Sequence, residues 1–231
     1  MSRETCVLVC AGSALRHPLL RATLADDLSR LRRSGMDWIV LCAAPTWFAE
    51  NAAASERAGL ADDLRRRLDG VVEMSVDEVL HPAGERRLRE CMARGATPVV
   101  RALAAGPGGR RDPVNADSLG DHVARHLRAD RLFILADDAA TPVPGGAAGT
   151  HLTDRAVLSA LGAARGPGVA ATHWHTAARC VGAGVRVAHL LDARRSHVLR
   201  REMLGAGGCG VTVVSHGSDR FARDCRRYFA A

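Results

Sequence analysis

The chain has 231 residues, is 47% hydrophobic and carries a formal charge of +7, which is enough for one large domain with a sizeable core. All 32 basic residues are arginines and no lysine occurs anywhere. Paired arginines are scattered along the chain and aromatics make up only 3%, so a solvated basic surface is expected rather than a nucleic-acid partner.

The first predicted strand covers residues 6–10, followed by the turn Ala11-Gly12-Ser13 and a helix over 18–34 with Leu20, Leu24, Leu28 and Leu31 on one face. Gly35 stops it, and a second buried strand over 38–42 completes a β-α-β unit, which implies parallel pairing and a right-handed crossover. Residues 49–68 read as helical, 71–74 as a short strand, and 85–94 as a helix closed by Gly95. A strand over 97–102 then leads into the turn A-A-G-P-G-G-R-R. Asn115 or Asp117 can cap a helix whose apolar side is Leu119, Val123 and Leu127. The fully apolar run 132–136 is a central strand, and it ends in Asp137 and Asp138, at the carboxyl edge where open α/β sheets place ligands. Beyond a Pro/Gly/Ala loop over 141–150, Thr153 caps a helix to about residue 161. A helix over 172–183 with Trp174, Ala178 and Val181 inside, a strand over 185–191, a helix over 196–204 and a strand over 210–214 finish the pattern.

Seven cysteines, odd in number and without framework spacing, fit a reduced thiol pool. The short apolar start is preceded by Glu4, which argues against a signal peptide, and no run is of membrane-spanning length. The expected location is therefore cytoplasmic, with no membrane partner. His173 and His175 form an H-x-H pair, but on a helix their rings point about 200° apart, so no metal site is expected there. His189 lies within an apolar strand and reads as a satisfied core histidine.

The runs V-N-A-D-S-L, R-L-F-I-L-A-D-D, G-A-G-V-R-V-A-H-L-L-D and V-L-V-C-A-G-S-A-L, in their order along the chain, resemble the amino acid kinase family and most closely its acetylglutamate kinases. The resemblance is good over residues 112–214, fair over 6–44 and poor between. It implies a three-layer αβα sandwich with a mainly parallel central sheet, the carbamate kinase-like fold. It also implies a single domain over 1–231, with a diverged acceptor and dimerisation lobe over 1–96 and a nucleotide-binding-type lobe over 97–231. ATP or another nucleotide with magnesium would be the cofactor, and the chain would form a homodimer.

Carried over position by position, the resemblance puts Val9 at the first-strand lysine of the family and His173 at its second lysine. Asp117 falls at the aspartate that orients both lysines. Gly12, Asp137 and Gly168 match nucleotide-binding positions together with His173, and Asn115, Ala43 and Ala44 fall on the acceptor side. Phosphoryl transfer relies on positioning and on positive charge at the equatorial oxygens. The resemblance therefore implies a pseudokinase that binds a nucleotide, an acidic metabolite or a partner enzyme in amino-acid or specialised metabolism. Two readings stay open beside it: an active kinase for a small carboxylate or phosphate, with Arg16 or Arg179 replacing the lysines, and a ligand-free structural partner. Each site residue also has a plain structural role: Asn115 as an N-cap, Asp117 as a first-turn acid, Asp137 and Asp138 as turn residues.

Overall fold

Alternation along one short run decides the architecture. In β1 (Glu4–Cys10), Val7 and Val9 face one side, Cys6, Leu8 and Cys10 face the other, and all five are buried. A strand buried on both faces belongs inside a sheet covered by helices on both sides. The computed structural model, which describes residues 3–43, 59–109, 111–138, 151–163, 169–205 and 209–216, has that arrangement. One eight-stranded sheet runs in the order β3 (Val71–Met74), β4 (Thr97–Arg101), β2 (Met36–Cys42), β1, β7 (Arg131–Ala136), β9 (Val187–Asp192), β10 (Val211–Val214) and β8 (His151–Thr153). Every neighbouring pair is parallel except β9 with β10.

Two helical layers cover the sheet. On one face α2 (Pro18–Arg33), α3 (Leu60–Arg65) and α9 (Val198–Leu204) pack against Trp38, Phe133 and Leu191. Pro18 opens α2 at a position where its missing N–H costs nothing, and Leu24, Leu28 and Leu31 make its buried stripe. The other face carries α4 (Val76–Leu80), α5 (Gly84–Ala93), α6 (Ala116–His126), α7 (Asp154–Ala163) and α8 (Val169–Gly182). Asn115 caps α6, its side chain accepting from the Ser118 N–H at 2.9 Å. Gly120 lets α6 lie close on β1, because a Cβ there would stand 2.4 Å from Val9 Cγ2. The αβα sandwich with a mainly parallel sheet is thus the one expected.

Four features escape the sequence pattern, the first being the helical turn α1 (Ser13–Arg16) that follows β1. The predicted turn A-A-G-P-G-G-R-R is the tip of an antiparallel hairpin, β5 (Leu103–Ala105) with β6 (Arg111–Pro113). Helix α4 and the short edge strand β8 fall where the sequence pattern assigns no element, being five and three residues long. Thr153 does cap α7, accepting from the Ala156 N–H at 3.1 Å. Of the helix expected over 49–68, residues 49–58 lie outside the described residues. Among the described residues no helix is long and apolar enough to cross a membrane.

A polar group crosses the core beneath α9. His189 Nδ1 lies 2.8 Å from Glu202 Oε1, its Nε2 lies 3.3 Å from Arg131 Nη1, and its ring stacks on Phe133 with centroids 4.7 Å apart. These partners fit a neutral ring that donates from Nδ1 and accepts at Nε2. Burial pushes the His189 pKa down, more than Glu202 raises it. Burial alone would raise the Glu202 pKa, but the His189 contact and the amides of Cys209 and Gly210 hold it well below the usual carboxylate range.

Candidate functional site

Strand register brings the predicted residues to one edge. Cys10 pairs with both Cys42 and Leu135, and Ala136 pairs with Asp192. Consequently Gly12, Ala43, Asp137, Asp138 and Arg194 all leave the sheet at its carboxyl end, where α6 begins. In open parallel sheets the ligand crevice lies just outside such an edge.

The β1 turn is built around Asp137. Gly12 has φ 64°, a conformation that glycine adopts without strain, and a Cβ on it would stand 2.7 Å from the Asp137 carboxylate. Asp137 Oδ1 accepts from the Ser13 N–H at 2.8 Å, and its Oδ2 accepts from Arg16 Nη2 at 2.9 Å. A carboxylate of the chain itself thus lies in the turn that the resemblance assigns to phosphate. Val9, just before, is 1% exposed and packed over Gly120.

His173 comes in from α8 between two acids. Its Nδ1 lies 2.8 Å from Asp117 Oδ2, with the N–H off the line of a directed hydrogen bond, and its Nε2 lies 3.3 Å from Asp138 Oδ1. Both His173 and Asp117 are buried. Burial works against protonation of the ring, but Asp117 and then Asp138 overcome it, so the pKa is raised from the ordinary histidine value. The side chain of Asp138 is 41% exposed, which leaves this carboxylate open to a ligand.

Not every candidate joins this group. Asn115 is engaged as the α6 cap, and Ala43 packs against the core edge. Ala44 and Gly168 lie outside the described residues. Arg179 pairs with Asp121 at 3.1 Å between α6 and α8, whereas Arg16 stays at the site. His175 is exposed.

Two contributions were missed. Asp138 reads as a turn residue from sequence yet contacts His173, and Asp192 holds Arg194 through both carboxylate oxygens at 2.8 and 2.9 Å. Asp137 and Asp138 also act on Arg194 electrostatically. The available signal was L-L-D at the end of β9, a second strand closing on an acid at the same edge. Among the described residues the cleft therefore holds four carboxylates, Asp117, Asp137, Asp138 and Asp192, against two guanidiniums and one imidazole. For metals, Asp26, Asp27 and His197 form a grouping with ligand-like spacing among the described residues. Asp27 already accepts from His197 and from the Arg200 N–H, and Asp26 pairs with Arg30.

No family model matches the chain. In sequence it is 30% identical over 141 residues to an acetylglutamate kinase of Parasynechococcus marenigrum, covering 56% of this chain and 46% of that enzyme. It is 31% identical over 142 residues to an acetylglutamate kinase of Corynebacterium efficiens, covering 59% and 45%. The chain thus spans about half the length of the curated relatives it matches. In fold it is similar to the N-acetylglutamate synthase of Neisseria gonorrhoeae complexed with coenzyme A and N-acetyl-glutamate, with TM-score 0.78 at 14% identity over 98% of this chain and 66% of that one. It is also similar to the carbamate kinase of Giardia lamblia bound to AMP-PNP, with TM-score 0.65 at 9% identity over 93% and 99%. For the UMP kinase of Ureaplasma parvum the TM-score is 0.59 at 10% identity over 92% and 100%. With the resemblance in sequence and the likeness in fold pointing the same way, this is an acetylglutamate-kinase-like chain with the amino acid kinase fold.

Proposed function

We propose that the chain is an acetylglutamate-kinase-like binding protein without phosphotransfer, whose cleft takes a magnesium-bound nucleotide or an acidic metabolite. One observation carries this reading: neither lysine-matched position offers free positive charge. Val9 presents a buried isopropyl group, and the charge of His173 is answered by Asp117 and Asp138. The loose transition state of phosphoryl transfer spreads negative charge over the equatorial oxygens, and it depends on cations that this pair does not supply.

The acids also shape what can bind. A bare polyphosphate would meet Asp137 and Asp138 head on, with like charges repelling. Their oxygens suit magnesium, a hard cation that takes carboxylates together with phosphate oxygens, so these two residues would hold the ion. Bound magnesium would supply the charge compensation for the phosphates. A homodimer closed by a two-fold axis is the proposed assembly, and light scattering at twice the chain mass would support it.

A coupled assay for ADP release with ATP, magnesium and N-acetylglutamate or carbamate should show no enzymatic turnover. Turnover near about 1 per second, the low end of ordinary enzymes, would overturn the reading. Binding is tested separately by thermal shift with ATP in the presence and absence of magnesium, where a ligand at 100 times its dissociation constant stabilises by about 2.7 kcal/mol. The second reading, an arginine-assisted kinase, is favoured by Arg16, which sits at the site on Asp137. Turnover that disappears in Arg16→Gln would select it.

A further inference from the structure

The other end of the sheet carries charge of the opposite sign. Beneath the amino ends of β1 and β2 lies a cavity of about 510 Å³ lined by Arg3, Arg32, Arg33, Arg67, Ser29 and Asp37, among others. This is the size of an ordinary small-molecule site. Arg32 and Arg33 come from the last turn of α2, and Arg67 follows α3.

These arginines are held mainly by neutral partners. Many other guanidiniums meet carboxylates, as Arg21 does Asp63, Arg65 does Glu73 and Arg131 does Glu4. In the cavity only Arg3 has such a partner among the described residues, Asp37 at 2.8 Å. Arg32 donates to the backbone carbonyls of Asp69 and Gly95, Arg33 donates to Ser29 Oγ at 2.8 Å, and Arg67 donates to the Asp63 carbonyl at 3.1 Å. These neutral acceptors fix the side chains without cancelling their charge. Each guanidinium has five N–H donors in a planar fork, so Arg33 and Arg67 keep most of theirs. Of the carboxylates lining the cavity, Asp37 is taken by Arg3, which leaves Asp69 against three arginines.

We propose that this cavity is a binding site for a small phosphorylated or polyphosphate anion, separate from the carboxyl-end cleft. A phosphoryl group offers three oxygens, one for each guanidinium that lacks a carboxylate, and arginine forks match it in bidentate geometry. A simple carboxylate offers two.

The test is calorimetry of the full chain with pyrophosphate, free of magnesium and at low ionic strength, with glutarate as the comparison anion. Pyrophosphate should bind, with glutarate at least about tenfold weaker. Arg33→Gln/Arg67→Gln should lose at least about tenfold in pyrophosphate affinity. Arg86→Gln/Arg155→Gln, which removes the same charge from exposed helix positions, should change it less than about twofold. Arg33→Lys/Arg67→Lys keeps the charge and should fall between, which guards against a neutral variant that merely misfolds. No binding to the native chain, equal losses in the two glutamine variants, or an unchanged affinity in Arg33→Gln/Arg67→Gln would each overturn the assignment. Glutarate binding as tightly as pyrophosphate would overturn the phosphate class.

Discussion

His173 and His189 are both buried, and each lies 2.8 Å from a carboxylate oxygen, yet their surroundings push them in opposite directions. Beneath α9 the second neighbour is Arg131, and burial is complete enough that His189 is held neutral. At the cleft the second neighbour is Asp138, another acid, and its half-exposed side chain lets water into the edge of the group. A histidine beside an acid is therefore not by itself a site. The second partner and access to water separate a core hydrogen bond from a group that can answer a ligand.

The core side of this comparison should be the costlier one to break. Glu202→Gln removes the charge that His189, Cys209, Gly210 and Thr212 converge on, and should destabilise by about 2 kcal/mol in urea unfolding, the scale of a hydrogen bond to a charged group. The sign with pH follows from its lowered pKa: the stabilisation is present above the ordinary glutamate range and is lost as pH falls through the folded value. The difference between wild type and Glu202→Gln should therefore shrink in acid. A pH-independent difference would show that Glu202 acts by shape.

The cleft side can be tested through Val9. Gly120→Ala would drive a Cβ into Val9 Cγ2, and overpacking costs about 1–3 kcal/mol, partly offset by the roughly 1 kcal/mol that alanine gains over glycine in a helix. The variant should be net destabilised by about 1 kcal/mol. In a Val9→Ala background the same change should become neutral or stabilising. Failure of that rescue would mean that Val9 does not fill the space between β1 and α6.

The smallest effect belongs to His173. Its raised pKa makes its stabilisation fully present below the unfolded histidine value of about 6.5, and lost as pH rises through the folded value. His173→Gln should thus cost about 1 kcal/mol near pH 6, the scale of one net hydrogen bond, and less near pH 8. A larger cost at pH 8 than at pH 6 would reverse the contrast with His189.

How legible all this was depends on length and burial. The runs 6–10, 38–42 and 132–136 announce themselves because strands buried on both faces must be apolar throughout. Helix α4 is only five residues long, although Ser75 and Glu78 form a complete capping box around its start, a signal that could have found it. The reversal at β10 is invisible in the pattern, since alternation carries no information on strand direction. At the site, the resemblance sets His173 at the family's second lysine and Asp117 at its aspartate, and the structure brings these two side chains together. Asp138 was not legible: an acid after a strand reads equally well as turn chemistry, and only the approach of α8 gives it a partner.

The position of β1 has a consequence for how the chain reaches this state. Its pairing with β2 is local, but its other edge waits for β7, and Thr5 and Asp130, which close that seam through two hydrogen bonds, are 125 residues apart. Loop entropy must be lost before so distant a contact returns anything. Until then the β1 edge is an apolar strand with unpaired backbone groups, the kind of surface that other chains can add to. The same docking of β7 carries Asp137 to the β1 turn, so covering the β1 edge and completing that turn are one step.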